Sequence, residues 1–195
     1  PSALLNLANA LGIFTEVQAT EYIEASEVFF SNPQAHRRFG RIFTKYRVLG
    51  LARYEKVLLL DADLHIRANL DSLFSLEAPA AMARGPTKPK EGEKMSGHMP
   101  VNAGVMLLKP DQKLLQELFK EVTGPKPRRL PHFNSPDADY LTEHPELCGR
   151  WSSIPLECNY QLEFEHLDPQ QGTVRFSSAR EAHFADEGAS LAMAA

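Results

Sequence analysis

The sequence predicts an α/β domain with a mostly parallel sheet flanked by helices. Three observations carry this. Short apolar runs bounded by charge or turn residues recur along the chain, the pattern of strands buried on both faces. Stretches of helical period separate those runs. The composition of 195 residues, 43% hydrophobic and 24% charged, is that of an ordinary globular chain. Residues 1–195 are read as a single domain.

Ser2 can cap a helix over Leu4, Leu5, Ala8 and Leu11 that Gly12 stops, and Ile13 to Val17 reads as a strand. Pro33 opens a longer helix with Phe39, Ile42, Phe43, Tyr46 and Leu49 on one stripe. Arg37, Arg38, Arg41, Lys45 and Arg47 interleave with that stripe, either as a solvated face or as a face turned toward an anion. Val57 to Leu60 is a buried-type strand ending at Asp61-Ala62-Asp63, and Asn69 to Phe74 is a helical turn. Ala80 to Ala83 is a further strand. Arg84 to Pro100 is a long loop rich in Gly, Pro and Lys, expected to cover a bound ligand. Ala103 to Lys109 is a second buried-type strand. Asp111 caps a helix carrying Leu114, Leu115, Leu118, Phe119 and Val122, which Gly124-Pro125 stops. A Pro-rich connector leads to a helix from about Asp137 to Glu143, and Thr173 to Ser177 and Glu181 to Phe184 are late strands.

With 21 Lys and Arg against 25 Asp and Glu, the net charge of −4 offers no basic face for a phosphate backbone, so nucleic acid is not the expected partner. No apolar run approaches the ~18 residues of a membrane span. Cys148 and Cys158 have no zinc-type spacing and read as ordinary thiols.

The strongest local signal is Asp61 with Asp63. Carboxylates at i and i+2 after an apolar strand project to one side in extended geometry. Ligands of open α/β sheets bind outside the carboxyl ends of the strands. Two adjacent anions repel, and a divalent cation removes that repulsion. A solvated turn is the plainer alternative for the pair taken alone.

The stretch VLLLDADLHIRANLDSLF, from Val57 to Phe74, resembles the family 8 glycosyltransferases, the group of glycogenin and galactinol synthase. The family's N-[AS]-G-V strand is similar to Val101-Asn102-Ala103-Gly104-Val105-Met106, closed by Pro110. Its acidic D-Q-x-x-L helix start is similar to Ser135-Pro136-Asp137-Ala138-Asp139-Tyr140-Leu141. Ile154-Pro155 with Cys158-Asn159-Tyr160 resembles its L-P-x-x-x-N element, and Ala182-His183-Phe184 its V-H-F strand end.

The resemblance implies a GT-A-type, Rossmann-like domain and transfer of a hexose from a nucleotide sugar, UDP-glucose or UDP-galactose, to an unidentified hydroxyl acceptor with retention of configuration. It implies Asp61, Asp63 and His183 as ligands of Mn²⁺, with Asp63 also near the ribose. Asn102 and Gly104 would line the sugar pocket, Asp137 would hydrogen-bond the sugar hydroxyls near the reacting carbon, and Lys45 would reach phosphate and sugar. A covalent route would require a carboxylate beside the anomeric carbon, and Asp137 is the candidate. A homodimer is allowed for, and a cytoplasmic location is favoured with Golgi or secretory routes left open.

The sequence also departs from the family. Ala138 stands where a glutamine is usual, and no lysine follows His183-Phe184 in the family's place. The family's first strand lacks a counterpart, so truncation is expected at the N-terminus and allowed for at the C-terminus. Two other classes stay open. One is a nucleotide-sugar-binding scaffold with weakened turnover. The other is a phosphatase of the haloacid-dehalogenase type, in which the first aspartate of a D-x-D is a nucleophile.

Overall fold

The computed structural model describes residues 10, 12, 14–30, 33–66, 68–84, 89–125 and 136–161, with the strand pairs 167–168, 173–174 and 193–194. Among these residues the strands are β1 (Val57–Leu60), β2 (Leu64–His65), β3 (Ala80–Ala83), β4 (Val101–Leu108), β5 (Ser152–Ser153), β6 (Tyr160–Gln161), β7 (Leu167–Asp168), β8 (Thr173–Val174) and β9 (Met193–Ala194). The α-helices are α1 (Pro33–Phe39), α2 (Gln112–Thr123) and α3 (Pro136–Glu143), and a 3-10 helix runs over Ile42–Gly50.

The main sheet has the order β1-β4-β3-β5. The α/β expectation holds, but the mostly parallel sheet is corrected: β4 pairs antiparallel with both β1 and β3, and β3 with β5 is the parallel pair. The reason is that a continuous apolar run reports burial on both faces and not strand direction. All eight residues of β4 are buried. One face of the sheet packs Phe29, Phe43, Tyr46, Leu118, Tyr140 and Trp151 into the larger core, and the other packs Leu73, Ala80, Met82, Val105, Leu107 and Ile154.

The strand β4 is not regular. Against β3 the register jumps from Ala81↔Met106 to Met82↔Asn102, so Ala103, Gly104 and Val105 have no β3 partner. The cores record the jump, because Val101 and Ala103 share a face with Met106 and Leu108. Bulges of this kind re-aim side chains and concentrate next to active sites.

Two helical expectations hold closely, the helix after Asp111 as α2 and the helix from about Asp137 to Glu143 as α3. The Asp111 side chain accepts from the Leu114 N–H at 3.0 Å, and Leu114, Leu115, Leu118 and Val122 are buried, although Phe119 is exposed. The helix expected from Pro33 onward is split. It closes at Gly40, whose N–H donates to the His36 carbonyl at 2.7 Å, and resumes as the 3-10 helix. A side chain at residue 40 would strike that carbonyl at 2.7 Å, so the glycine permits the tight closure.

The strand expected over Ile13 to Val17 is corrected: residues 14–17 are irregular. Propensity lost here to long-range ties. The Ile23 N–H donates to Thr44 Oγ1 at 3.0 Å, and the Ala25 and Ser26 N–H groups reach the Gly40 and Val122 carbonyls at 2.7 and 2.9 Å. The arginines of the charge run join in. Arg41 pairs with Glu24 at 3.5 Å and Arg47 donates to the Glu21 carbonyl at 3.2 Å, while beyond the run Arg53 pairs with Glu16. Arg41 and Arg47 of that run therefore clasp the preceding segment. Residues 4–9 and 11 of the helix expected over 4–11 and the strand over 181–184 lie outside the described residues, as do residues 175–177 of the strand expected from Thr173.

Candidate functional site

Three elements meet where β1 ends. The 3-10 helix supplies Lys45, the residue after β1 is Asp61, and the first turn of α3 supplies Asp137. The Lys45 ammonium lies 2.9 Å from Asp61 Oδ1, 3.2 Å from Asp61 Oδ2 and 2.7 Å from Asp137 Oδ2, with the Ala103 carbonyl at 3.4 Å. Residues far apart in the chain thus form one cluster, at the end of the sheet the D-x-D indicated. Asp137 is 3% exposed and keeps its place through the ammonium, while Asp61 remains half-buried.

The electrostatics follow from this packing. Burial is the largest influence on Lys45 and pulls it down, but the attraction and hydrogen bonds of Asp137 and Asp61 together outweigh it, leaving Lys45 above its usual 10.5. Asp61 stands above its usual 3.8. Burial pushes it up, Lys45 pulls it down, and the charges of Asp137 and Asp63 push it up again. Tyr46, fully buried beside the cluster, is driven well above its usual 10.0 by burial first and then by the two carboxylates. Sequence reasoning placed Tyr46 in the apolar stripe only, because periodicity does not record what the hydroxyl faces.

Beside the ammonium lies the irregular part of β4. The Asp61 N–H donates to the Gly104 carbonyl at 2.9 Å. Asn102 Oδ1 accepts from the Gly104 N–H at 2.8 Å and from Asn159 Nδ2 at 2.9 Å. Asn159 is fully buried. The sequence presented it within a motif but gave it no role; its signal was a polar residue in a segment that also carries Ile154 and Cys158.

Asp63 sits exposed in the turn between β1 and β2. The structure therefore brings together Lys45, Asp61, Asp137, Asn102 and Gly104, with Asp63 close enough for its charge to raise Asp61. His183 lies outside the described residues. As donors, Asp61 and Asp63 offer hard carboxylate oxygens suited to a divalent cation. Asp61 retains lone-pair capacity beyond the two contacts with Lys45. Among the described residues no group of three His, Cys, Asp or Glu could hold a metal ion.

The long loop is less free than its composition suggests. Its described part is stitched to the β5 edge: Met95 N–H to the Trp151 carbonyl at 2.7 Å, Gly92 N–H to Ser153 and Ser153 N–H to Glu93, both at 2.8 Å. Cys148 and Cys158 are free thiols, and burial, with Glu157 and Glu91, pushes Cys158 up to about 11. Among the described residues no helix is long and apolar enough to cross a membrane.

No family model matches the chain. An uncharacterised protein of Acanthamoeba polyphaga mimivirus is 33% identical over 162 residues, 78% of this chain and 55% of that protein. UDP-glucuronate:xylan alpha-glucuronosyltransferase 1 of Arabidopsis thaliana is 28% identical over 63% of this chain and 16% of its own length. Inositol phosphorylceramide glucuronosyltransferase 1 of the same plant is 27% identical over 58% and 18%. The chain thus spans about half the length of the viral relative and under a fifth of these plant relatives. Among solved structures, the glycosyltransferase GlyE of Streptococcus pneumoniae TIGR4 aligns over 78% of this chain and 36% of its own, at 20% identity and a TM-score of 0.45. The galactosyltransferase LgtC, in complex with donor and acceptor sugar analogues, aligns over 78% and 58%, at 17% identity and a TM-score of 0.39. The sequence likeness thus runs, over more than half of this chain, to proteins named for the transfer of a sugar.

Proposed function

We propose that this chain carries the donor-binding face of a GT-A-type, metal-dependent glycosyltransferase that moves a hexosyl unit from a UDP-sugar to a hydroxyl acceptor. The observation that carries the reading is the Lys45 ammonium held between Asp61 and Asp137 at the end of β1. Apolar residues of similar volume often serve stability as well as buried charges do, so a three-charge cluster at a sheet end points to chemistry. The sequence relatives support the same class.

In this reading Asp61, Asp63 and His183 hold a divalent cation, Mn²⁺, which when bound neutralises the diphosphate as a Lewis acid. All three ammonium protons of Lys45 have protein partners, the weakest being the Ala103 carbonyl at 3.4 Å. Lys45 therefore positions Asp61 and Asp137 first, and the proton facing Ala103 is the one it can turn toward a ligand oxygen. Asp137 accepts from hydroxyls of the sugar, and Asn102 and Gly104 line its pocket. Transfer proceeds with retention: the acceptor oxygen bonds to the anomeric carbon on the face the diphosphate leaves. The carbon–oxygen bond to that phosphate breaks, and the acceptor proton passes to the leaving phosphate oxygen.

The test is a donor screen on the full-length protein with UDP-glucose, UDP-galactose and UDP-glucuronate, Mn²⁺ and a panel of hydroxyl acceptors, reading released UDP. Turnover with one donor is expected, and Asp63→Ala lowers Mn²⁺-dependent UDP affinity at least tenfold without lowering Tm, because Asp63 is exposed. A wild-type protein that binds no UDP or UDP-sugar in the presence of Mn²⁺ overturns the reading.

A further inference from the structure

The hydrogen bonds beside Gly104 fix the orientation of two amides. A backbone N–H can only donate, so the atom of Asn102 facing the Gly104 N–H at 2.8 Å is the oxygen. The Asn159 atom 2.9 Å from that oxygen must then donate and is Nδ2. Two carboxamides joined by one such bond can close a ring through a second bond, from Asn102 Nδ2 to Asn159 Oδ1. That second bond is not made. Asn159 Oδ1 is shut from solvent and has no hydrogen-bond partner among the described residues, and no described residue bonds Asn102 Nδ2. The unmade bond leaves a donor on Asn102 and a buried acceptor on Asn159 side by side, next to the Lys45 cluster. A β-carbon on residue 104 would stand 3.1 Å from both Asn102 Oδ1 and Asn159 Oδ1, so the glycine leaves the amides room to sit there.

We propose that Asn159 and Asn102 together read one hydroxyl of the transferred sugar: Asn102 Nδ2 donates to the hydroxyl oxygen and Asn159 Oδ1 accepts its proton. This rests on the glycosyltransferase reading and assigns Asn159 a specificity-determining role in it. The chemistry selects a hydroxyl, because that group alone among common sugar substituents donates and accepts at one atom. A carboxylate or a fluorine can take the Asn102 bond but leaves the buried Asn159 oxygen unsatisfied, a penalty of the size that separates substrate from analogue.

The experiment measures affinities of the full-length wild-type protein, with Mn²⁺, for UDP, UDP-glucose and the 2-, 3-, 4- and 6-deoxyfluoro analogues of UDP-glucose. One analogue is expected to bind at least tenfold more weakly than its parent. In Asn159→Ala that penalty disappears, and the advantage of UDP-glucose over UDP falls about tenfold while UDP affinity stays within twofold. Asn159→Leu, which keeps the volume of the side chain and removes the acceptor, serves where Asn159→Ala does not fold and must also lose the penalty. If all four analogues bind the wild type like the parent, or if the penalty survives in a folded variant, the two amides hold no more than an ordered water and the proposal is overturned. A wild type that binds UDP but gains nothing from the sugar overturns it as well. Absence of UDP binding overturns instead the reading on which it rests.

Discussion

Lys45 is the residue on which the cluster depends, because it holds two carboxylates that would otherwise face each other. Lys45→Met leaves Asp137 buried without its ion pair and is expected to cost about 3 kcal/mol in denaturant unfolding at neutral pH. Adding Asp137→Asn to that variant restores part of the loss, since the stranded charge is then gone. The pH dependence separates the partners. Lys45 is raised, so its stabilisation is complete below 10.5 and is lost as the pH climbs through its higher folded value, an alkaline step that Lys45→Met lacks. Asp61 is also raised, so the folded state holds its proton more tightly than the unfolded chain does. Its ionisation therefore begins to cost stability near 3.8, in full above the folded value, and urea midpoints of wild type fall relative to Asp61→Asn across that window. At this scale the sequence was informative where an acidic residue stands at the end of a strand or the start of a helix, as with Asp61 and Asp137. It was silent on Asn159, whose partner Asn102 lies 57 positions away. It was silent too on the polar surroundings of Tyr46, because no local pattern encodes a contact of that range.

Elements show the same division. The helix α2 was legible to its cap, because Asp111 and the apolar period are local signals. Asp111→Ala is expected to cost about 1 kcal/mol, read from the shift in thermal midpoint. The strand β4 was legible as a buried run, but its antiparallel neighbours and its irregular centre were not. Gly104 was the one hint, since glycine inside a strand often marks a bulge. Gly104→Ala would press on both amides at 3.1 Å, so Tm is expected to fall and the gain of UDP-sugar over UDP to vanish together. A variant that keeps both shows that the neighbouring chains yield at no cost. The split at Gly40 has a local cause, the tight closure that its missing side chain permits, whereas the irregular 14–17 segment is tied through Glu16 to the distant Arg53.

For the whole molecule, ligand binding and folding are linked. UDP with Mn²⁺ at about a hundred times the dissociation constant is expected to stabilise the fold by roughly 2.7 kcal/mol, and a chelator removes that gain. Differential scanning calorimetry with and without EDTA checks it; a Tm indifferent to both additions counts against a cation at the sheet end. The molecule also carries a fastening of a different kind. The exposed pairs Arg41–Glu24 and Arg53–Glu16 hold the leading segment to residues flanking the helix that bears Lys45, while Ile23 is buried. Exposed charges weaken as ionic strength rises, whereas an apolar anchor does not. Concentrated sodium chloride should therefore let a protease nick the backbone near Glu16 before any loss of helical circular dichroism, peeling the strap from its outer end inward and stopping at Ile23.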